Sequence, residues 1–270
     1  MNLKIVSDSS SDLLDNDDIK IVPLVLRNDQ HEFVDDSSIN VDEMLKTFSE
    51  DGLRTTSSCP SVGTYEAAYE GNENVIAVAI SSLMSGSYNA ARVAAESFEG
   101  KNIEVIDSLS AGPGLHIIID KILELKDQYD SFDELVEKVR DYMSHTRLVF
   151  VLESLETFVN NGRISPIVAK AVSMFGIRVI SRANEGAFDI ITKKKGAKKA
   201  MAAVLEEMIS QGYEGGKVII HHVNNSAIVQ SLKDKIHELY PDAVVTDFPC
   251  KGLCAYYAMD QGYLLSYEVK

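Results

Sequence analysis

Four serines follow a short apolar segment in a pattern that could bind an anion. Residues 75–80 are all apolar, as in a strand covered on both faces, and residues 88–98 are rich in alanine at helical spacing. The serines between these two segments are Ser81, Ser82, Ser85 and Ser87. The first turn of a helix leaves backbone N–H groups without partners and carries a partial positive charge, so it attracts a carboxylate or a phosphate. The pattern therefore predicts either helix capping or one side of an anion site.

Three other loops are also rich in hydroxyl groups. Residues 7–12 combine serines with Asp8 and Asp12 after the first predicted strand, while residues 55–61 and 107–114 form the other two loops. Serine and aspartate are common in turns and caps, so each loop taken singly is explained by capping. In parallel sheets, however, loops at the carboxyl ends of strands line the ligand crevice. Because four such loops exceed what capping requires, the set favours a ligand site.

One arginine and two histidines complete the candidate residues. Gly162 allows a left-handed turn, which leaves Arg163 either simply exposed or free to reach an anion. His221 and His222 end a predicted strand, where either could face a cleft or be buried against the backbone. The alternative function is therefore a hydrolase or transferase that acts on a small anion through the serine loops, with one of these histidines as base. The nucleophile-elbow, Walker and dinucleotide-binding glycine patterns are absent from the sequence.

Composition restricts the classes of function. The 270 residues carry a net charge of −15, which would repel nucleic acid from any broad surface. The apolar runs fall far short of the roughly twenty residues that span a membrane, and the first residues lack the pattern of a signal peptide. The three cysteines and six histidines do not have the spacing of a metal site. We therefore expect a cytoplasmic protein that is not integral to a membrane, with neither a metal nor a nucleic-acid partner.

Predicted strands and helices alternate along the chain. The predicted strands are 3–6, 19–26, 75–80, 103–106, 148–152, 178–180, 218–223 and 243–246. The predicted helices are 41–48, 61–69, 88–98, 114–128, 132–144, an irregular one from Ser154, 165–175, 195–211 and 226–239. This alternation predicts the α/β class, with mainly parallel sheets covered by helices. A second run of strand and helix starts at Leu148, so we predict two α/β domains, 1–147 and 148–270, with a ligand cleft between them.

The order of several motifs resembles the DegV family of fatty-acid-binding proteins, some of which serve as the FakB subunit of bacterial fatty acid kinase. The match is strong over residues 3–165 and weaker beyond. The matching segments are Ile5-Val6-Ser7-Asp8-Ser9-Ser10-Ser11-Asp12-Leu13, Ser57-Ser58-Cys59-Pro60-Ser61, Ser81-Ser82-Leu83-Met84-Ser85-Gly86-Ser87-Tyr88 and Asn161-Gly162-Arg163-Ile164-Ser165.

This resemblance implies a lipid-binding protein that is not itself an enzyme. A long-chain fatty acid would be the bound ligand, with no further cofactor, and a separate kinase subunit supplying ATP would be a partner. The C-terminal domain would enclose the acyl tail. The residues implied at the carboxylate are Thr56, Ser57, Ser58, Ser85, Gly86 and Arg163.

The closing motif of the family, His-Thr-Gly-Pro-Gly-Ala, is where the sequence departs from the pattern. The corresponding segment is Ala258–Tyr263, which contains no histidine. Tyr256, Tyr257 and His222 are the candidate substitute donors. Because burial of the tail dominates affinity, the missing histidine bears on delivery to a kinase more than on binding.

Overall fold

The computed structural model describes residues 2–165 and 176–270. The strands are β1 Lys4–Asp8, β2 Ile19–Val22, β3 Val25–Arg27, β4 Glu32–Val34, β5 Thr56–Ser58, β6 Asn74–Ala79, β7 Asn102–Asp107, β8 Thr146–Leu152, β9 Ile177–Asn184, β10 Ala187–Lys195, β11 Lys217–His222, β12 Val244–Pro249 and β13 Tyr263–Glu268. The helices are α1 Val41–Asp51, α2 Val62–Tyr69, α3 Ser87–Ala95, α4 Pro113–Leu125, α5 Phe132–Ser144, α6 Glu156–Asn160, α7 Ala197–Ser210, α8 Ser226–Leu239 and α9 Gly252–Ala258. The helix predicted over 165–175 lies, apart from Ser165, outside the described residues.

The first sheet is parallel throughout, in the order β2-β1-β6-β7. Its central strand β6 is buried on both faces, because Ile76 and Val78 pack toward α4 and α5 while Val75 and Ala77 pack toward α2 and α3. This explains the continuous apolar run in the sequence. The prediction of a helix-covered parallel sheet is confirmed here.

The second sheet has the order β10-β9-β8-β13-β11-β12, and only the pair β11–β12 is parallel. The prediction of mainly parallel sheets therefore applies to the first sheet and not to the second. Two connections account for the difference. A two-residue turn at Glu185 and Gly186, both with positive φ, folds β9 and β10 into a hairpin. The last strand, β13, lies antiparallel between β8 and β11.

A small antiparallel sheet, β4-β3-β5, lies beside these two. The single strand predicted over 19–26 is in fact two strands, because Pro23 cannot donate a ladder hydrogen bond and Leu24 N instead donates to Ser9 Oγ at 3.0 Å. β2 therefore stays in the first sheet, and β3 belongs to the small one. β5 then pairs with β3 so that Ser57 lies opposite Leu26.

One apolar core lies between the second sheet, the small sheet and α9. Phe150 and Val179 of the second sheet face this core, whereas Val149 and Ile180 face α7 and α8 on the opposite side. The second sheet is thus covered on both faces, and the α/β class is confirmed. The second sheet begins in the chain with β8 at Thr146, close to the predicted boundary between 147 and 148.

Candidate functional site

A cavity of about 400 Å³ opens within this core. Its wall is mostly apolar and includes Leu24, Ile80, Phe150, Leu152, Phe188 and Leu264. Polar groups come from four chain segments and from α9. They are Ser10, Ser57, Ser58, Ser85, Arg163 and Tyr257. An apolar cavity with a few grouped polar side chains is the usual form of a small-molecule site.

Ser57 is the best-connected hydroxyl on this wall. Its backbone N and its Oγ both donate to Asn161 Oδ1, at 2.8 and 3.2 Å, and its Oγ lies 2.9 Å from Tyr257 Oη. Because the Ser57 hydroxyl hydrogen is directed at Asn161, the Tyr257 hydroxyl donates to Ser57. Either hydroxyl can rotate to donate to an acceptor in the cavity instead. The pair therefore offers two donors to an anionic oxygen.

Ser85 and Gly86 lie at the first turn of α3. Gly86 is the N-cap residue, and Ser85 Oγ accepts from Ser87 N at 3.2 Å and lies 3.0 Å from Ser87 Oγ. A Cβ at Gly86 would lie only 3.0 Å from Cys59 Sγ, so the glycine permits close contact between this loop and the Ser57 loop. Ser85 thus both accepts from the first N–H of α3 and lines the cavity.

Arg163 supplies the positive charge on the cavity wall. Gly162 has φ +68° and turns the chain, after which Arg163 N donates to Phe158 O at 2.8 Å. The Arg163 side chain is exposed and makes no ion pair within residues 2–165 and 176–270. Its guanidinium group is available to an anion.

The two tyrosines of α9 have different positions. Tyr257 lines the cavity beside Phe158, with ring centroids 4.8 Å apart. Tyr256 does not line it, and its buried hydroxyl bonds Thr55 Oγ1 at 2.9 Å and Asn161 Nδ2 at 2.8 Å. Tyr257 is therefore placed to meet a ligand, whereas Tyr256 supports the Ser57 loop from behind.

Besides Tyr256, two of the predicted contacts lie away from the cavity. Thr56 is on β5, opposite Arg27 of β3. It does not line the cavity wall, although Ser57 and Ser58 do. His222 accepts from Asn225 N at 3.4 Å and lies 3.6 Å from Asp247 Oδ2. The strand turns this ring toward α8 and β12, which removes it from the set of substitute donors.

The hydrolase alternative required a serine and a histidine in contact. His221 is fully buried and contacts Asp12 and His116 instead. In the described ranges, neither His221 nor His222 lines the cavity or bonds one of the cavity serines. The geometry therefore favours binding over nucleophilic catalysis.

Two buried carboxylates hold the loops around the cavity. Asp8 accepts from Ser10 N at 3.2 Å, from the Ser10 hydroxyl and from Ile80 N at 2.9 Å. It therefore joins the loop after β1 to the loop after β6. Burial raises the pKa of Asp8 to about 6 despite these hydrogen bonds. Asp35 accepts from Gly252 N and Leu253 N, both at 2.9 Å, and burial raises its pKa to about 7.

Several residues of this arrangement were missed in the sequence. Asn161 lies in a recognised motif, but only the structure shows its amide linking Ser57 to Tyr256. Asp35 and Asp12 contact α9 across more than 200 positions of sequence, which no local pattern reveals.

Within 2–165 and 176–270, no three His, Cys, Asp or Glu side chains are grouped so that they could hold a metal ion. No helix in those ranges has the length and apolar character needed to cross a membrane.

Comparison with known proteins identifies the family. A family model described as "Uncharacterised protein, DegV family" matches residues 2–258. A DegV domain-containing protein of Streptococcus pyogenes serotype M18 is 39% identical over 280 residues, covering 100% of both chains. A DegV domain-containing protein of Streptococcus gordonii is 36% identical with the same coverage.

Two crystal structures are similar over nearly the whole chain. The Streptococcus pneumoniae Fatty Acid Kinase (Fak) B3 protein, loaded with linoleic acid, is 34% identical, with a TM-score of 0.97 and 100% coverage of both chains. A DegV family protein from Eubacterium eligens, loaded with heptadecanoic acid, is 33% identical, with a TM-score of 0.95 over 99% of this chain and 100% of that one. Sequence and fold agree that the chain belongs to the DegV family.

Proposed function

We propose that this protein binds one long-chain fatty acid in the cavity and acts as a carrier, not by itself as an enzyme. One juxtaposition carries the proposal: five hydroxyl groups and a guanidinium border a cavity whose wall is otherwise mostly apolar. The fatty acids named in the two similar crystal structures support it. The proposed carboxylate contacts are Ser57, Ser85, Tyr257 and Arg163, with Ser58 and Gly86 beside them.

The apolar wall supplies most of the binding energy in this proposal. Burying about fifteen methylenes contributes roughly 12 kcal/mol at about 0.8 kcal/mol each. A hydrogen bond to a charged group contributes about 1.5 to 3 kcal/mol. Tail burial therefore determines whether a lipid binds, and the polar groups determine its orientation.

We further propose that the protein presents the carboxylate to a separate, ATP-bearing kinase subunit in the cytoplasm. The similar Streptococcus pneumoniae protein is named as part of a fatty acid kinase, which supports this role. Leu83 lines the cavity and is 63% exposed, so the cavity reaches the surface next to Ser85. A kinase subunit could meet the carboxylate there. In this proposal the chain comprises two domains, 1–147 and 148–270.

Extraction of the purified protein under denaturing conditions, followed by mass spectrometry, tests the binding function. We expect one co-purifying long-chain fatty acid, and saturable binding of oleate by the delipidated protein. Ser57→Ala and Ser85→Ala should each weaken oleate binding about tenfold. The matched control is Ser231→Ala, because Ser231 is exposed on α8 and bonds only its own helix. A protein that carries no fatty acid and binds neither palmitate nor oleate contradicts the proposal.

A further inference from the structure

A chain of buried titratable groups runs behind the cavity. Asp12 Oδ2 lies 2.7 Å from His221 Nδ1, and both side chains are fully buried. His221 Nε2 lies 3.0 Å from His116 Nδ1 on α4. His116 Nε2 then lies 3.6 Å from Asp120 Oδ1, and Asp120 Oδ2 is paired with Lys217 Nζ at 2.6 Å.

The contacts determine where the protons lie. Asp12 accepts a hydrogen from His221 Nδ1, and the contact between the two rings requires one more hydrogen. If both rings were neutral, His116 Nδ1 would have to donate to His221 Nε2. His116 Nε2 would then carry no hydrogen and would face the carboxylate of Asp120, which is unfavourable. A charged His221 avoids this, because it donates to His116 Nδ1 and leaves an N–H on His116 toward Asp120. The pKa of His116 is lowered to about 4, first by burial and next by His221. The contact of His221 with Asp12 at 2.7 Å assigns the positive charge to His221.

This ion pair is connected to the cavity through α9. Asp12 Oδ1 accepts from Lys251 N at 2.9 Å, directly before the helix, while Asp35 accepts the next two N–H groups. Two carboxylates therefore meet at one helix end, and Asp12 contributes to the raised pKa of Asp35. Without a counter-charge, such buried carboxylates repel each other. His221 supplies that counter-charge.

α9 in turn forms part of the cavity wall. Leu253, Cys254, Tyr257 and Ala258 all line the cavity, and Tyr257 reaches the Ser57 hydroxyl. A shift of the helix start would displace these side chains together. The position of the helix thus links the buried charges to the ligand site.

We propose that the Asp12–His221 ion pair, held by His116, is a positioning element that fixes α9 against the cavity, so that loss of the imidazolium charge weakens ligand binding. This inference rests on the proposed fatty-acid function. The titratable groups around His221 and its partners are Asp12, Asp35, His116, Asp120, Lys217, Cys250 and Cys254. Burial raises the pKa values of both thiols, which leaves His221 as the positive charge facing Asp12.

The first experiment compares the full-length protein with Asp12→Asn. The asparagine keeps an acceptor for Lys251 N and a donor toward a neutral His221, so the hydrogen bonds are retained and only the charges are lost. We expect nitrogen NMR to show His221 protonated on both ring nitrogens in the wild type at neutral pH, and neutral in the variant. The affinity for oleate should fall about tenfold in the variant. A wild-type His221 that is neutral at this pH overturns the inference.

The pH profile of oleate affinity separates positioning from simple structural support. Wild-type affinity should change with pH in step with the protonation state of His221 that nitrogen NMR records, whereas Asp12→Asn should show no such step. Asp51→Asn is the matched control, since Asp51 contacts His31 at 2.9 Å in an exposed Asp–His pair; its affinity and its pH profile should match the wild type. Equal affinities and equal pH profiles for all three proteins overturn the inference.

Two variants of His116 keep the test decisive even if Asp12→Asn does not fold. His116→Asn retains an acceptor near the Nδ1 position and should bind oleate as the wild type does. His116→Ala leaves the His221 N–H unpaired and should bind about tenfold more weakly. Equal binding by these two variants contradicts the role of His116. Failure of the wild type to bind oleate would instead refute the proposed function.

Discussion

The two sides of the cavity are built differently. On one side, the loops after β1 and β6 follow strands of a parallel sheet, and Asp8 joins them with hydrogen bonds to Ser10 and Ile80. On the other side, α9 is fastened by Asp12 and Asp35 from the opposite end of the chain. The first side consists of strand-to-helix loops that sequence motifs mark, whereas the second is held by contacts that span more than 200 positions of sequence. A site can thus have recognisable sequence motifs on one side and depend on contacts without a sequence pattern on the other.

The largest expected effects concern the two carboxylates that hold these two sides. The pKa of Asp8 is raised to about 6 and that of Asp35 to about 7, from an ordinary value of 3.8, mainly by burial. Both groups bind protons more tightly in the folded chain than in the unfolded chain. Their contribution to the free energy of unfolding therefore falls as pH rises from about 4 to about 7, by roughly 3 kcal/mol each.

Urea unfolding of Asp8→Asn and Asp35→Asn across this pH range measures the two contributions separately. His116 acts in the opposite direction, since its pKa is lowered to about 4 from 6.5 and its contribution grows as pH rises. The quantity to compare is therefore the difference in slope between each variant and the wild type. In each variant, the free energy of unfolding should fall less steeply with rising pH than in the wild type, by the contribution of the carboxylate that was replaced. A variant whose slope matches the wild type shows that the corresponding carboxylate is not buried as described.

A smaller effect is expected from adding one methyl group directly after α9 and one at the start of α4, which follows β7 of the parallel sheet. A Cβ at Gly262, which follows α9, would lie 2.1 Å from the backbone oxygen of Ala258. A Cβ at Gly114 would instead meet the side chain of Ser110, whose own Cβ would lie 2.7 Å away. Because backbone yields less than a side chain, Gly262→Ala should lower the free energy of unfolding by about 3 kcal/mol and Gly114→Ala by about 1 to 2 kcal/mol.

The control for both is Gly63→Ala on α2, where the nearest atom to a Cβ is 4.0 Å away. That variant should be neutral or slightly stabilising. If Gly114→Ala proved more destabilising than Gly262→Ala, the backbone around α9 would adapt more easily than the Ser110 side chain, which contradicts this prediction.

Sequence patterns predict the two sides unequally for physical reasons. The helices 132–144 and 226–239 were predicted to the residue, because amphipathic periodicity over thirteen or fourteen residues is a strong signal. α9 has only seven residues and is buried almost throughout, so it has no polar face to reveal its period. β10 was missed because it ends in a lysine run that resembles a helix start. β13 was missed because one of its partners, β8, lies more than 100 positions earlier in the sequence.

The residues of the site were likewise predicted only in part. Ser57, Ser58, Ser85, Gly86 and Arg163 lie in recognisable motifs, and all of them line one cavity; their contact with a ligand stays a prediction. The choice between Tyr256 and Tyr257 depended on the rotation of α9, which the sequence does not encode locally. Thr56 and His222 were included because of neighbours in sequence, whereas strand geometry directs them elsewhere.

The two tyrosines allow a third and smaller test. Tyr257→Phe removes a hydroxyl that faces the cavity and should weaken oleate binding about tenfold, with little change in stability. Tyr256→Phe removes bonds to Thr55 and Asn161 and should lower the free energy of unfolding by about 1 to 2 kcal/mol, with a smaller effect on affinity. Calorimetric titration and urea unfolding of both variants separate the two quantities. The reverse pattern would exchange their assigned roles.

The smallest expected effect belongs to Arg163, the one exposed member of the proposed carboxylate contacts. An exposed guanidinium is screened by solvent and by salt, so its attraction for a carboxylate is weak and declines as ionic strength rises. Arg163→Gln should reduce oleate affinity about threefold at low salt and hardly at all near 1 M salt. The partly buried hydroxyl contact behaves differently, because Ser57→Ala should weaken binding by the same factor at every salt concentration. If the loss in Arg163→Gln did not depend on salt, the guanidinium would be desolvated in the complex, and the loop that carries it would have to close over the bound carboxylate.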